Sequence, residues 1–283
     1  MNTQAFPRTT VGGLSLPRLL VGTNWLLGFS HTGKAADANI KRLLSTREAI
    51  ADVVETFVKA GVDAVMGPLS AQPLMQAGIE TAEDRTGLPI IRIDTPVINV
   101  DDTAPARREA EAVFDKVKAG GAAFCLPHHQ SVEQLVNKNK REITRLPDYL
   151  AMVRERGMLP GLSAHMPELI LFSDEQGYDV ETYIQIYNCL GYLMQIEVEY
   201  IHKVIWGARK PVMTIKPLAA GRTTPFIGLS FVWNTIREQD MVTVGCMTSE
   251  EAAEDIEFSL AAIEHRMHRV EGRGSPARSV IMK

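Results

Sequence analysis

Cysteine is scarce in this chain. Only Cys125, Cys189 and Cys246 occur among 283 residues, all in apolar surroundings and without CxxC spacing. An odd, sparse count excludes a disulfide scaffold and suits a reducing compartment. A basic excess is missing as well. Thirty Lys and Arg face 34 Asp and Glu, for a formal net charge of −4, a balance that argues against a dedicated nucleic-acid binder. No apolar run approaches the roughly 18–20 residues of a membrane span. The opening MNTQAFPRTTVGGLS lacks the apolar centre of a secretory signal. There is no short repeat, no low-complexity tract and no internal linker rich in Pro, Gly or Ser. The expectation is a cytoplasmic globular protein that contacts neither nucleic acid nor membrane. It should form one domain over 1–283, with about 271–283 as a tail; a homo-oligomer is left open.

What is present is an alternation of short apolar runs and longer amphipathic stretches. Strands are expected at Leu19-Thr23, Ala64-Met66, Ile90-Ile93, Ala123-Leu126, Pro160-Leu162, Ile184-Tyr187, Val212-Ile215 and Met241-Val244. Continuous apolar runs of this kind suit parallel strands covered on both faces. Between them, Ile50, Val53, Val54, Phe57 and Val58 recur with helical spacing and make one apolar face. Ser45 before Glu48 and Thr248 before Glu251 have capping-box spacing. Gly61, Gly87, Gly120 and Gly157 stand where left-handed helix C-caps are expected. Eight strands alternating with helices point to a single (β/α)8 TIM barrel. An open doubly wound sheet usually carries GxGxxG after its first strand, and this chain reads GTNWLLG there.

The polar residues at the expected strand ends are the candidates for chemistry, because barrel enzymes build their sites there. Asp94 closes the third strand and suits a general base or a metal ligand, or a loop hydrogen-bond acceptor. His128 and His129 are adjacent; in extended backbone their side chains diverge and only one enters a pocket. With Asp94 and His165, His128 completes a set suited to zinc by ligand type, although these three residues have no HxH or HxxxE spacing to support a divalent metal. Lys216 follows an apolar strand in VMTIKPL. It suits binding of a carboxylate or phosphate, Schiff-base chemistry if desolvated, or an ion pair with Asp94. Thr23, Asn24, Trp25, His31 and Asn188 add polar and aromatic groups on the same rim, and Arg222 joins Lys216 as the second anion contact. Thr223 and Thr224 can cap the helix that follows. Two connections, Asn24 to Leu44 and His128 to Glu142, exceed the length at which loops are usually structural only. The first is expected to cover the pocket.

Five segments in order then resemble the aldo/keto reductases: TVGGLSLPRLLVGTNW, ERGMLPGLSAHMPELI, IQIYNCL, KPLAAGR and VGCMTSEEAAEDIEFSLAAI. The first is similar to that family's N-terminal β-hairpin and first strand. The resemblance implies a barrel closed by a hairpin around Gly12-Gly13, an NAD(P) cofactor, and a catalytic group of Asp, Tyr, Lys and His. The Asp and Tyr would lie after the second strand, where this chain reads AVMGPLSAQ (Ala64 to Gln72); the Lys would end the third strand, where it reads IIRIDTP. Only the histidine finds a counterpart, as His128 with His129 the alternative. Near the eighth strand, Ser249-Glu250-Glu251 replaces the basic residues that often hold an NADP phosphate. The resemblance therefore implies the scaffold of a reductase without its proton donor, and ordinary NADPH-dependent aldehyde reduction is expected to be weak or absent. Two readings follow. One is an enzyme acting on a small carbonyl-containing or anionic metabolite, with Asp94, His128, His165 and Lys216 catalytic. The other is a non-catalytic barrel that binds a metabolite or partner; metal-dependent lyase or isomerase chemistry is the alternative within the first.

Overall fold

The computed structural model describes residues 5–271; most of the expected tail, 272–283, lies outside the described residues. Eight parallel strands close into a barrel: Leu19–Gly22, Ala64–Gly67, Ile91–Asp94, Phe124–Cys125, Leu159–Ala164, Thr182–Ile186, Val212–Ile215 and Met241–Val244. Closure comes from the eighth strand, where Val242 pairs with Leu19, Thr243 with Leu20 and Val244 with Val21. Every expected strand is present: Val212–Ile215 and Met241–Val244 have the expected ends, and the ends of the others move by at most two residues.

The side-chain period of two sorts these strands into two apolar layers. Leu20, Ala64, Met66, Ile93, Phe124, Ile184, Met213 and Met241 point inward and fill the barrel. Leu19, Val21, Val65, Leu162, Tyr183, Val212 and Val242 point outward and pack under the helices. The barrel is thus a packed core with its site confined to one end. At the opposite end lies an antiparallel hairpin, Arg8–Val11 with Leu14–Pro17. Its turn residues Gly12 and Gly13 both have positive φ, 56° and 84°, as a two-residue hairpin loop requires. Val11 and Leu16 join the inner layer, so the hairpin plugs the barrel floor.

Local chemistry departs from expectation at three points. The helix Arg47–Lys59 is capped by Thr46, whose hydroxyl accepts from the Ala49 N–H; Ser45 does not cap it. Gly120 has an ordinary φ of −74°, and Gly121 takes the left-handed turn at 76°. The two long connections are structured. Asn24 to Leu44 contains a helix, Lys34–Leu43, seated by buried Ile40 and Leu44. His128 to Glu142 folds as a short helix, His129–Val132, a 3-10 turn and one strand of a two-stranded ribbon, Val136–Asn137 with Glu142–Ile143. The Thr248 cap is as expected, and Thr224 caps the helix Pro225–Thr235 by accepting from the Ile227 N–H.

Candidate active site at the barrel mouth

The C-terminal strand ends open into a cavity of about 910 Å³, within the range of small-molecule sites. Its floor is the last inward-facing layer of the barrel, including Met66, Ser163, Ile184, Ile215 and Thr243. Its walls are the loops after the strands, with Trp25, His31, Thr95, His128, His165 and Arg222 among them.

Lys216 reaches this cavity because its backbone breaks the strand pattern. Ile215 points inward, so strict alternation would send the next side chain outward. Lys216 instead has a φ of 60°, a left-handed conformation uncommon for a residue with a Cβ. Both side chains then line the cavity. The Lys216 Nζ lies 3.4 Å from His31 Nε2. That same nitrogen is 3.1 Å from the Asn24 amide nitrogen. With two donors facing it, Nε2 is the acceptor and the ring proton sits on Nδ1. No carboxylate pairs with Lys216 among the described residues. Burial alone pushes its pKa from the ordinary 10.5 down to about 8.

Three histidines sit together at the ends of the fourth and fifth strands, and here the expectation of divergent neighbours fails. His128 caps the short helix, so the backbone turns instead of extending, and both His128 and His129 line the cavity. Their ring centroids are 4.1 Å apart, and His129 stacks on His165 at 3.6 Å. Burial pushes His128 down to about 4 and His165 to about 3, with the neighbouring histidine and the Lys216 charge adding to it. His31 is lowered by burial and then by Lys216. All three are neutral at pH 7. Glu133, which the sequence did not single out, accepts from the His165 and Met166 amides at 2.6 and 2.8 Å and lies 3.7 Å from the His129 ring.

The outer rim is tied together by Tyr192, whose hydroxyl donates to the His31 carbonyl at 3.0 Å. The Arg222 guanidinium stacks 3.9 Å above the Tyr192 ring, leaving edge donors available to a ligand. Two buried hydroxyls in the wall, Thr23 and Thr243, have no hydrogen-bond partner. Both oxygens are enclosed by the packing of the strand ends and offer no surface to a ligand in the cavity.

Two expected site residues are elsewhere. Asp94 follows inward-facing Ile93 and therefore points outward, where it is 2% exposed and absent from the cavity wall. Its Oδ2 accepts from the Ser70 N–H at 2.7 Å, and burial raises its pKa. Neither the ion pair with Lys216 nor the zinc set Asp94, His128 and His165 is assembled, and no other group of three metal-ligating side chains exists among the described residues. Asn188 is also spent on its own loop. It accepts from the Leu190 and Tyr192 amides and donates to the Tyr192 carbonyl. Thr23, Asn24, Trp25, His31, His128, His165, Lys216 and Arg222 all line the cavity. Cys246 does too, as a buried thiol whose pKa burial raises.

The nicotinamide nucleotide implied by the fold does not fit the residues present. No tyrosine lines the cavity among the described residues, and its only Lys or Arg are Lys216 and Arg222. The helix Ser249–Ile263 after the eighth strand begins with Glu250 and Glu251. Glu251 is already bonded to the Met247 N–H at 2.7 Å, and Glu251 and Glu254 face the cavity. A phosphate brought there meets negative charge at the helix end that would otherwise attract it.

No helix of the described residues is long and apolar enough to cross a membrane. No protein-family model and no curated protein matches this sequence. Solved structures do. A candidate aldo-keto reductase from Pseudomonas aeruginosa is 14% identical at a TM-score of 0.64, over 93% of this chain and 98% of that one. An aldo-keto reductase from Klebsiella pneumoniae, solved in complex with NADPH, is 13% identical at 0.57, over 94% and 92%. BexX/CysO of Amycolatopsis orientalis, solved as a complex, gives 14% identity at 0.51, over 94% and 100%. At such identities the likeness is one of fold, and the chain has the (β/α)8 barrel of the aldo-keto reductases.

Proposed function

We propose that this protein is an enzyme acting on a small anionic, carbonyl-bearing metabolite at the C-terminal mouth of the barrel. The observation that carries this reading is Lys216, a cationic side chain turned into the cavity with no carboxylate partner among the described residues. A buried charge without a counter-ion is costly. A bound anion would supply the missing partner, with Arg222 as its second contact. His31, His128 and His165 are neutral at pH 7; values near 4 and 3 make His128 and His165 weak proton acceptors, so His31 is the base best suited to acid–base chemistry on the rest of the substrate. Lys216 thus binds and orients, and the His31 imidazole moves protons.

A thermal-shift screen tests this reading, because a ligand that binds only the folded state raises Tm by mass action. Lactate, pyruvate and other short carboxylates are expected to raise Tm at millimolar concentration, with a smaller effect in a Lys216→Met variant. NADPH is expected to give little shift. Stabilisation by NADPH alone, with none from any small anion, would overturn the assignment.

A further inference from the structure

We infer that Lys216 is a covalent nucleophile that forms an imine with the carbonyl of an oxo acid. The inference rests on the anion-site reading above and adds the reaction to it.

Three features of the geometry carry it. First, the left-handed backbone at Lys216 spends conformational energy to turn an amine into the cavity. Simple charge neutralisation does not require this, since Arg222 already supplies a cation at the rim. Second, the amine's hydrogen-bond partner among the described residues is His31 Nε2 at 3.4 Å, which Asn24 also contacts. A lysine meant to remain a permanent cation is normally set against carboxylate oxygens; this one is set against a base. Third, Arg222 stacks on the Tyr192 ring, and the Tyr192 hydroxyl bonds the His31 carbonyl. The second cation of the cavity is thus tied to the same segment as the imidazole, and can take the carboxylate of an oxo acid whose carbonyl meets Lys216. Burial also leaves a usable fraction of free amine near neutral pH, which the reaction needs.

The step balances without any further reactant. The Lys216 amine attacks the carbonyl carbon, the C=O π electrons move to oxygen, and His31 Nε2 takes a proton from nitrogen. The imidazolium gives that proton to the alkoxide, forming the neutral carbinolamine, and the ring then relays the second nitrogen proton to the hydroxyl, which leaves as water as the C=N bond closes. Amine plus carbonyl gives imine plus water. Protonated by solvent, the imine draws electrons from the neighbouring carbon: either a C–H bond there breaks to leave an enamine, or a C–C bond to a hydroxyl-bearing carbon breaks to leave an enamine and a carbonyl fragment. The released C–H or hydroxyl proton goes to the His31 ring, neutral again after the relay. This is the chemistry of an aldol-type lyase or of an isomerase working next to a carbonyl.

The test is reductive trapping on the full chain. Pyruvate and borohydride are added together, and the adduct is located by peptide mass mapping. The expected result is one equivalent of reduced adduct on Lys216, in preference to every other lysine. Its rate of formation should rise with pH between 6 and 9. Lactate, which has the same charge and no carbonyl, should bind without leaving an adduct and should slow trapping by competition. Replacing His31 by Gln should slow adduct formation at least tenfold while changing lactate affinity less than threefold. Pyruvate that binds but leaves no adduct on Lys216, or labels all lysines equally, overturns the imine and leaves the anion site standing. No binding of pyruvate, lactate or sulfate overturns both.

Discussion

Replacing Lys216 by Met should stabilise the protein at neutral pH, and the size of the gain follows from the environment of the amine. Burial lowers the Lys216 pKa from 10.5 to about 8 with no carboxylate to offset it. A lowered pKa on a base means that the folded state holds the proton less tightly than the unfolded chain does. Below about pH 8 both states are protonated, and the fold carries the full cost of burying the charge. Between about 8 and 10.5 the folded state has released its proton and the unfolded state has not, so stability rises with pH and the cost disappears. At 1.36 kcal/mol per pH unit, the interval from 10.5 to about 8 gives about 3 kcal/mol as an upper bound. Because the side chain is only partly buried, roughly 1–2 kcal/mol is the expected gain after screening by solvent. Methionine keeps the length and apolar stem and has no β-branch, so the left-handed backbone is unchanged. Urea denaturation of both proteins at pH 7 and pH 10 measures the difference. The variant should be more stable at pH 7, with the gap narrowing at pH 10. A variant less stable at pH 7 would refute the reasoning and reveal a stabilising anionic partner for Lys216.

Two further outcomes rest on the other buried titratable groups. His165 has its pKa lowered from 6.5 to about 3 by burial and its charged neighbours, so wild-type stability is complete above 6.5 and falls as pH drops toward 3. His165→Gln should reduce that slope by up to about 1.4 kcal/mol per pH unit between pH 6 and 4; an unchanged acid limb in denaturation would contradict the neutral, buried imidazole. Asp94→Asn keeps an oxygen for the Ser70 N–H and removes a buried charge, so denaturation midpoints should move by less than about 1 kcal/mol in either direction while lactate affinity stays the same. A large loss of affinity would place Asp94 in the site after all.

The barrel was legible because its signal is spread over the chain. Eight apolar runs, the helical spacing from Ile50 to Val58, and the Gly12-Gly13 turn each report local physics that the tertiary structure does not override. The site was legible only where a side chain follows the local pattern or where the fold forces it to. Asp94 and Lys216 look alike in sequence, each a charge one step beyond an inward-facing isoleucine. Counting by two from Ile93 already sends Asp94 outward, so that misplacement was avoidable. The same count sends Lys216 outward as well, and it fails because of a positive φ for which IKPLAAGR gives no cue at the lysine itself. His129 was expected only as the alternative to His128, because the stretch LPHHQ reads as extended, whereas a helix begins just after His128 and both rings line the cavity. Asn188 is polar and placed at a strand end, yet its amide closes the loop to Tyr192. Glu133 gave no signal because its role depends on a segment more than 30 residues away.

The account turns on whether the amine of Lys216 meets the ligand, and calorimetric titration of lactate into the wild-type protein and Lys216→Met measures this directly. Lactate should bind the wild type in the cavity, and the variant should lose about 1–3 kcal/mol of binding, the usual value of a charge-assisted hydrogen bond. Equal affinity in the two proteins, with both folded by circular dichroism, would contradict the account.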